Sequence, residues 1–192
     1  MHGPKIGVIA LQGAYREHVA ALEALGAHAV EVRRPEALGG LDGVVLPGGE
    51  STTMSKLFES SGLREDLAAC LDEDLPVFGT CAGLILLAAT IEDGRGDQQS
   101  FGVLDVGVRR NGYGRQRDSF EVALDVKGLG HDRFPAVFIR APRITRVGEE
   151  VEVLASVGTD PVLVRRGPIL AAAFHPELAG DLRLHQLFLG GI

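Results

Sequence analysis

The stretch Pro76-Val77-Phe78-Gly79-Thr80-Cys81-Ala82-Gly83-Leu84 decides how the rest of the chain is read. A short apolar run meets a cysteine and passes into a second apolar run, with Gly79 two residues before the cysteine and Gly83 two after it. The pattern predicts a strand, a sharp turn and a helix: a nucleophile elbow with sulfur in place of a serine oxygen. In so tight a turn flanking side chains would clash, and glycine removes them. The elbow pushes the thiol out at the strand end. The backbone N–H of Ala82 and the helix start then face the place where an oxyanion would form. The same helix start favours thiolate over thiol. A free cysteine is otherwise most often a buried packing residue. That description suits Cys70, inside the helical run Leu67 to Leu71, and not Cys81.

Working outward toward the N-terminus, strands and helices alternate. Ile6 to Leu11 is a continuous apolar run, as a strand buried on both faces requires. Tyr15 to Leu25 reads as a helix, with Val19, Leu22 and Leu25 on one face and Gly26 as its stop. Ala29 to Val32 and Gly43 to Leu46 are further strands. Ser51 or Thr52 is expected to cap a helix running through Phe58, and Leu63 to Leu71 is another helix. Pro76 to Phe78 is the elbow strand, and Leu84 to Thr90 is expected to continue as helix. Strands separated by helices imply βαβ crossovers and a mainly parallel twisted sheet with helices on both faces. Downstream, strands are expected at Val103 to Val108, Ser119 to Leu124, Ala136 to Ile139, Glu152 to Ala155, Val162 to Arg165 and Ile169 to Phe174. A short helix, Asp181 to Leu189, closes the chain. Ligands of open α/β sheets sit at the carboxyl ends of the strands, so the loops after Leu46, Phe78 and Phe174 are where a site should lie.

A thiolate nucleophile needs a base, and the base is often oriented by a third group. Of the six histidines, His2, His18, His28, His131 and His185 read as surface or packing residues. His175 ends an apolar strand and is followed by Pro176 and Glu177. Two residues apart in an extended segment, His175 and Glu177 point to the same side. Glu177 can then hold one imidazole nitrogen while the other faces Cys81. The cysteines and histidines lack zinc-type spacing. Leu46-Pro47-Gly48-Gly49-Glu50-Ser51-Thr52-Thr53 brings small residues to a helix start, a favourable place for a carboxylate or an oxyanion, or else a plain capped turn. It is no P-loop, since Gly-Lys-Ser/Thr is absent. Phe138-Ile139-Arg140-Ala141-Pro142 ends a strand with an arginine, able to clamp a carboxylate or simply to be exposed. Arg109 to Arg117 is a basic loop.

Composition bounds the answer. The 192 residues suit one domain, and 45% hydrophobic with 23% charged residues is an ordinary globular mixture. A net charge of −7 is a poor basis for nucleic-acid binding. Two cysteines suit a reducing compartment rather than a disulfide scaffold. The N-terminus has no signal-peptide layout, and no apolar run approaches the ~20 residues a bilayer span takes. The expected location is the cytoplasm.

Together these segments resemble the class I, triad-type glutamine amidotransferases, and more closely the glutaminase-subunit family of pyridoxal 5′-phosphate synthase. The matching stretches begin with Gly7-Val8-Ile9-Ala10-Leu11-Gln12-Gly13, Arg16-Glu17-His18, Leu46 to Met54 and Gly79 to Leu84. They continue with Arg110-Asn111, Gly114-Arg115-Gln116, Asp118-Ser119-Phe120-Glu121, Phe138 to Pro142 and Phe174-His175-Pro176-Glu177-Leu178. Gly112 and Tyr113 depart from the Ser-Phe usual before Gly114, and the last helix is shorter than in many relatives. The resemblance implies a flavodoxin-like α/β fold spanning residues 1–192 as one glutaminase domain. It implies Cys81 as nucleophile, His175 as base and acid, Glu177 as orienter, and glutamine held by Gly49, Glu50, Ser51, Arg110, Ile139 and Arg140. Gly49 and Ala82 would supply the oxyanion donors. No metal or organic cofactor is expected. The expected partner is the (β/α)₈-barrel synthase subunit, which would take up the ammonia in a hetero-oligomer. Two enzymatic alternatives are a glutaminase serving another synthesis and a cysteine hydrolase of the same broad fold. The latter often carries an acid beside the elbow cysteine, where Thr80 and Ala82 stand here. A non-enzymatic binding module would be favoured if a triad member were missing.

Overall fold

A computed structural model describes residues 3–112 and 119–192. Its largest sheet has seven strands among the described residues. In chain order these are β1 (Lys5–Ile9), β2 (His28–Val32), β3 (Gly43–Leu46), β4 (Val77–Thr80), β10 (Glu152–Val157), β11 (Asp160–Arg166) and β12 (Ile169–Ala172). The spatial order is β10-β11-β12-β4-β3-β1-β2. From β12 to β2 every pairing is parallel, while β10 and β11 extend the β12 edge antiparallel. β3 and β4 are buried at every position, which is why they read as unbroken apolar runs.

Helices cover both faces: α1 (Tyr15–Ala24), α2 (Ser51–Ser60), α3 (Leu63–Asp72), α4 (Ala82–Leu87) and α5 (Arg183–Leu189). Successive strand residues point to opposite faces, and β4 shows the division. The Phe78 ring meets His18 of α1 and both His185 and Phe188 of α5. Gly79 faces α4, and a β-carbon there would stand 2.6 Å from Leu87. A second, three-stranded sheet is formed by β5 (Ala88–Ile91), β6 (Leu104–Arg109) and β9 (Arg143–Val147), and Arg143 of β9 bonds Asp160 of β11 in the main sheet. A hairpin of β7 (Ser119–Leu124) and β8 (Phe134–Ile139) completes the described strands.

The differences from the sequence reading have local causes. The α2 cap is Glu50, not Ser51 or Thr52: its carboxylate accepts from the amides of Thr52 and Thr53. The apolar run after the elbow leaves the helix at Ala88, which turns to extended backbone (ψ 144) and starts β5. An unbroken apolar run carries no period to mark that change. β9 was not anticipated; its alternation of Arg143, Thr145 and Arg146 with Ile144 and Val147 hides a half-buried strand.

Candidate active site

Parallel packing places three strand ends side by side. The Cys81 N–H donates to the Ala172 carbonyl at 2.8 Å, which locks the end of β4 to β12. Past β12 the chain reaches His175, whose N–H donates to the Val137 carbonyl of β8 at 2.8 Å. The turn after β3 packs so closely on the loop after β1 that a β-carbon on Gly13 (φ 87) would lie 1.7 Å from the Gly48 carbonyl oxygen. β1 is hydrogen-bonded to β2 on one side and β3 on the other, so the loops meet where the chain changes direction across the sheet.

The elbow is built as its glycines foretold. A β-carbon on Gly83 would lie 2.1 Å from the Leu46 carbonyl oxygen, so α4 could not approach β3 with any larger residue there. Cys81 has φ 50 and ψ −102 and is 6% exposed. Among the described non-glycine residues, only Asp74, Cys81 and Arg140 have positive φ. Two of these three line one cavity, as strain held at a functional site would.

That cavity has a volume of about 440 Å³. Its wall takes Gln12 and Gly13 from the end of β1, Gly48 to Ser51 from the end of β3, Cys81 from the elbow and His175 from the end of β12. Arg110, Asn111, Ile139, Arg140 and Leu178 complete much of the rim. Of the residues singled out from the sequence, Gly49, Glu50, Ser51, Cys81, Arg110, Ile139, Arg140 and His175 therefore share one cavity. Ala82 and Glu177 stand behind its surface: Ala82 is the first residue of α4, and the Glu177 side chain is fully buried. Gly114, Arg115, Gln116 and Asp118 lie outside the described residues.

His175 joins the two groups expected of it. Its Nδ1 is 2.7 Å from Glu177 Oε1. Burial works against a charge on the ring, but the neighbouring Cys81 and Glu177 outweigh it and carry His175 up to about 10. The pair does not sit in an extended segment. Pro176–Leu178 form a turn of 3₁₀ helix with Pro176 at its first position, and this turn folds the carboxylate back to the ring. Cys70, on α3, is half-buried, and burial raises its thiol above the ordinary value.

The polar residues around the cavity are already organised. Arg110 Nη1 donates to Thr52 Oγ1 and to Gln98 Oε1, each at 2.7 Å. Gln98 Nε2 donates to Ser51 Oγ at 2.8 Å. Gln98 thus ties the arginine to the start of α2, and nothing in its local sequence signalled that. Gln12 Oε1 accepts from the Glu50 N–H at 2.9 Å. The Glu50 carboxylate is engaged in the cap: burial disfavours its charge, but bonds from Thr53 and Thr52 bring it down to about 2. Glu50→Ala should therefore cost about 1 kcal/mol, the usual scale of a lost cap. A depressed carboxylate stabilises the fold above its unfolded value, here 4.5, and loses that contribution as pH falls through about 2. Urea midpoints of the two proteins should converge across that acid range. Among the described residues no cluster of three His, Cys, Asp or Glu side chains is placed to hold a metal ion. No described helix is long and apolar enough to cross a membrane.

A sequence profile described as the SNO glutamine amidotransferase family matches residues 8–192. The chain belongs to this family. It is 56% identical over 189 residues to a pyridoxal 5′-phosphate synthase subunit PdxT of Frankia alni, covering 98% of this chain and 95% of that one. It is 57% identical over 186 residues to the PdxT of Mycobacteroides abscessus, covering 97% and 96%. A solved glutamine amidotransferase superposes with a TM-score of 0.91 at 51% identity, covering 97% of each chain. The expected α/β fold and amidotransferase family are thus borne out.

Proposed function

We propose that the 192 residues form one glutaminase domain that hydrolyses L-glutamine and delivers the ammonia to a synthase subunit making pyridoxal 5′-phosphate. One observation carries this reading: Cys81 and His175 line the same cavity, and His175 is hydrogen-bonded to Glu177, in a chain 56% identical to a PdxT. In the proposed cycle glutamine lies with its carboxamide over Cys81. Sulfur attacks the amide carbon, and the oxyanion is met by the N–H groups of Gly49 and Ala82. His175, held by Glu177, gives its proton to the departing ammonia and leaves a thioester. It then takes a proton from water, hydroxide adds to the thioester, and glutamate and the thiolate separate. Arg110, Arg140, Ile139, Gly49 and Ser51 would hold the amino-acid end of the substrate. Glu50 would act through the α2 cap that sets Ser51 in place. The cycle calls for no metal or organic cofactor.

The word "subunit" in the relatives' names supports an acceptor on a second polypeptide; in this proposal it is a (β/α)₈-barrel, and the complex works in the cytoplasm. The cavity rim supplies a docking face. Ile139 and Leu178, 36% and 44% exposed, are two of the three exposed large hydrophobics among the described residues, and both border the mouth. Glutamate release should be slow for the chain alone and rise markedly when the synthase is added, with pyridoxal 5′-phosphate formed from glutamine. Absence of stimulation together with absence of that product would reject this acceptor and leave a glutaminase serving another synthesis.

A further inference from the structure

Behind the triad lies a second layer of polar side chains with no access to solvent. His18 of α1, Thr80 of β4 and His185 of α5 are each 0% exposed. His18 Nδ1 is 2.9 Å from His185 Nε2, and His18 Nε2 is 3.1 Å from Thr80 Oγ1. The same Nε2 is 3.4 Å from Glu177 Oε2, a buried oxygen that makes no hydrogen bond of its own, so that this ring is the polar group facing it. Glu177 therefore stands between two imidazoles: His175 on Oε1 at 2.7 Å and His18 on Oε2. A carboxylate this deeply buried stays charged only if donors surround it.

The proton positions follow from two independent constraints. Burial, then His185 and then His175 hold His18 well below its ordinary value of 6.5, and burial brings His185 to about 4. Near neutral pH both rings are uncharged, each with one N–H and one lone pair. If His18 carried its proton on Nδ1, its Nε2 lone pair would face the Glu177 carboxylate. His185 would then accept at Nε2 and leave an N–H on Nδ1, a buried atom without a partner. Both consequences are unfavourable. With the protons on Nε2 of both rings, His185 donates to His18, and His18 donates toward Glu177 and Thr80. Only a lone pair on His185 Nδ1 is then left unused.

We propose that His18 is a positioning residue for the triad, holding the second oxygen of Glu177 through its Nε2–H, and that His185 selects the tautomer that makes this possible. Glu177 is thereby clamped from both sides, and the ring of His175 is fixed through it. The inference rests on the triad reading above but predicts a separate result. In ¹⁵N-histidine spectra of the wild-type chain, His18 and His185 should both appear as neutral Nε2–H tautomers, and an Nδ1–H tautomer at His18 would overturn the proposal. In glutamate-release assays His18→Leu should lower kcat by about tenfold, the scale of one hydrogen bond to a charged group, with KM for glutamine unchanged. His18→Gln, which returns an N–H near the position of Nε2, should recover most of the loss. A folded His18→Leu with wild-type kcat, or an equal deficit in both variants, would also overturn it. If His18→Leu fails to fold, the wild-type tautomer and His18→Gln decide. A wild-type chain without glutaminase activity, even with the synthase, would instead defeat the triad reading.

Discussion

Cys81→Ala should abolish glutamine hydrolysis, by as much as about a millionfold, because no other group can form the thioester. Cys70→Ser should keep nearly all of the activity. The contrast is sharp because the two thiols differ in setting. Cys81 lies at a strained elbow on the wall of the cavity that His175 also lines. Cys70 is a half-buried helix residue whose thiol is held protonated by burial, then by Glu73 and Asp66. Glutamate release with the synthase present measures the first effect. Mass spectrometry after treatment with an electrophilic glutamine analogue checks the site directly: the adduct should be on the peptide holding Cys81. Label on Cys70, or full turnover in Cys81→Ala, would refute the assignment.

The parallel sheet was legible because β1, β3 and β4 are buried on both faces and have no polar alternation to confuse the reading. The elbow was legible because its glycines are required by backbone approach: Gly83 against Leu46, and Gly79 against the backbone of Gly83. β9 was not, since its burial depends on pairing with β6, about which the local sequence says nothing. The helix α1 shows the same limit from the other side. Its apolar periodicity selects Val19, Leu22 and Leu25, yet the buried positions are His18, Ala21 and Leu22. A histidine inside the core is invisible to a hydrophobicity pattern.

The site followed a similar division. Cys81 and His175 were found from strand ends, and sheet topology does the rest by setting β4 beside β12. The 3₁₀ turn linking His175 to Glu177 is not legible in sequence, because a proline at the start of such a turn and a proline ending an extended strand look alike there. Gln98 and the His18–His185 pair escaped notice because their partners are remote in sequence. Gln98 bonds residues of α2 and the loop after β6, while His18 and His185 are 167 positions apart. Only the folded chain brings such groups into contact.

His175→Asn should reduce glutamine turnover by roughly 10⁴-fold or more, because both proton transfers pass through this ring. Asparagine can still offer an amide N–H near the position of Nδ1, so Glu177 keeps a partner and the fold should survive. Glu177→Gln should cost less than His175→Asn, since Glu177 orients the ring without reacting. The same substitution at position 175 should alter the pH dependence of stability. Against the effect of burial, Cys81 and Glu177 carry His175 from 6.5 up to about 10. A group raised on folding contributes its full stabilisation below the unfolded value and loses it as pH rises through the folded one. The wild-type chain should therefore lose thermal stability between about pH 6.5 and 10, and His175→Asn should lose less over that interval. Melting curves of the two proteins across this range, beside their glutaminase rates, provide the measurement. Parallel pH profiles would mean that His175 is not the imidazolium held between Cys81 and Glu177. Undiminished turnover in His175→Asn would remove it from the mechanism altogether.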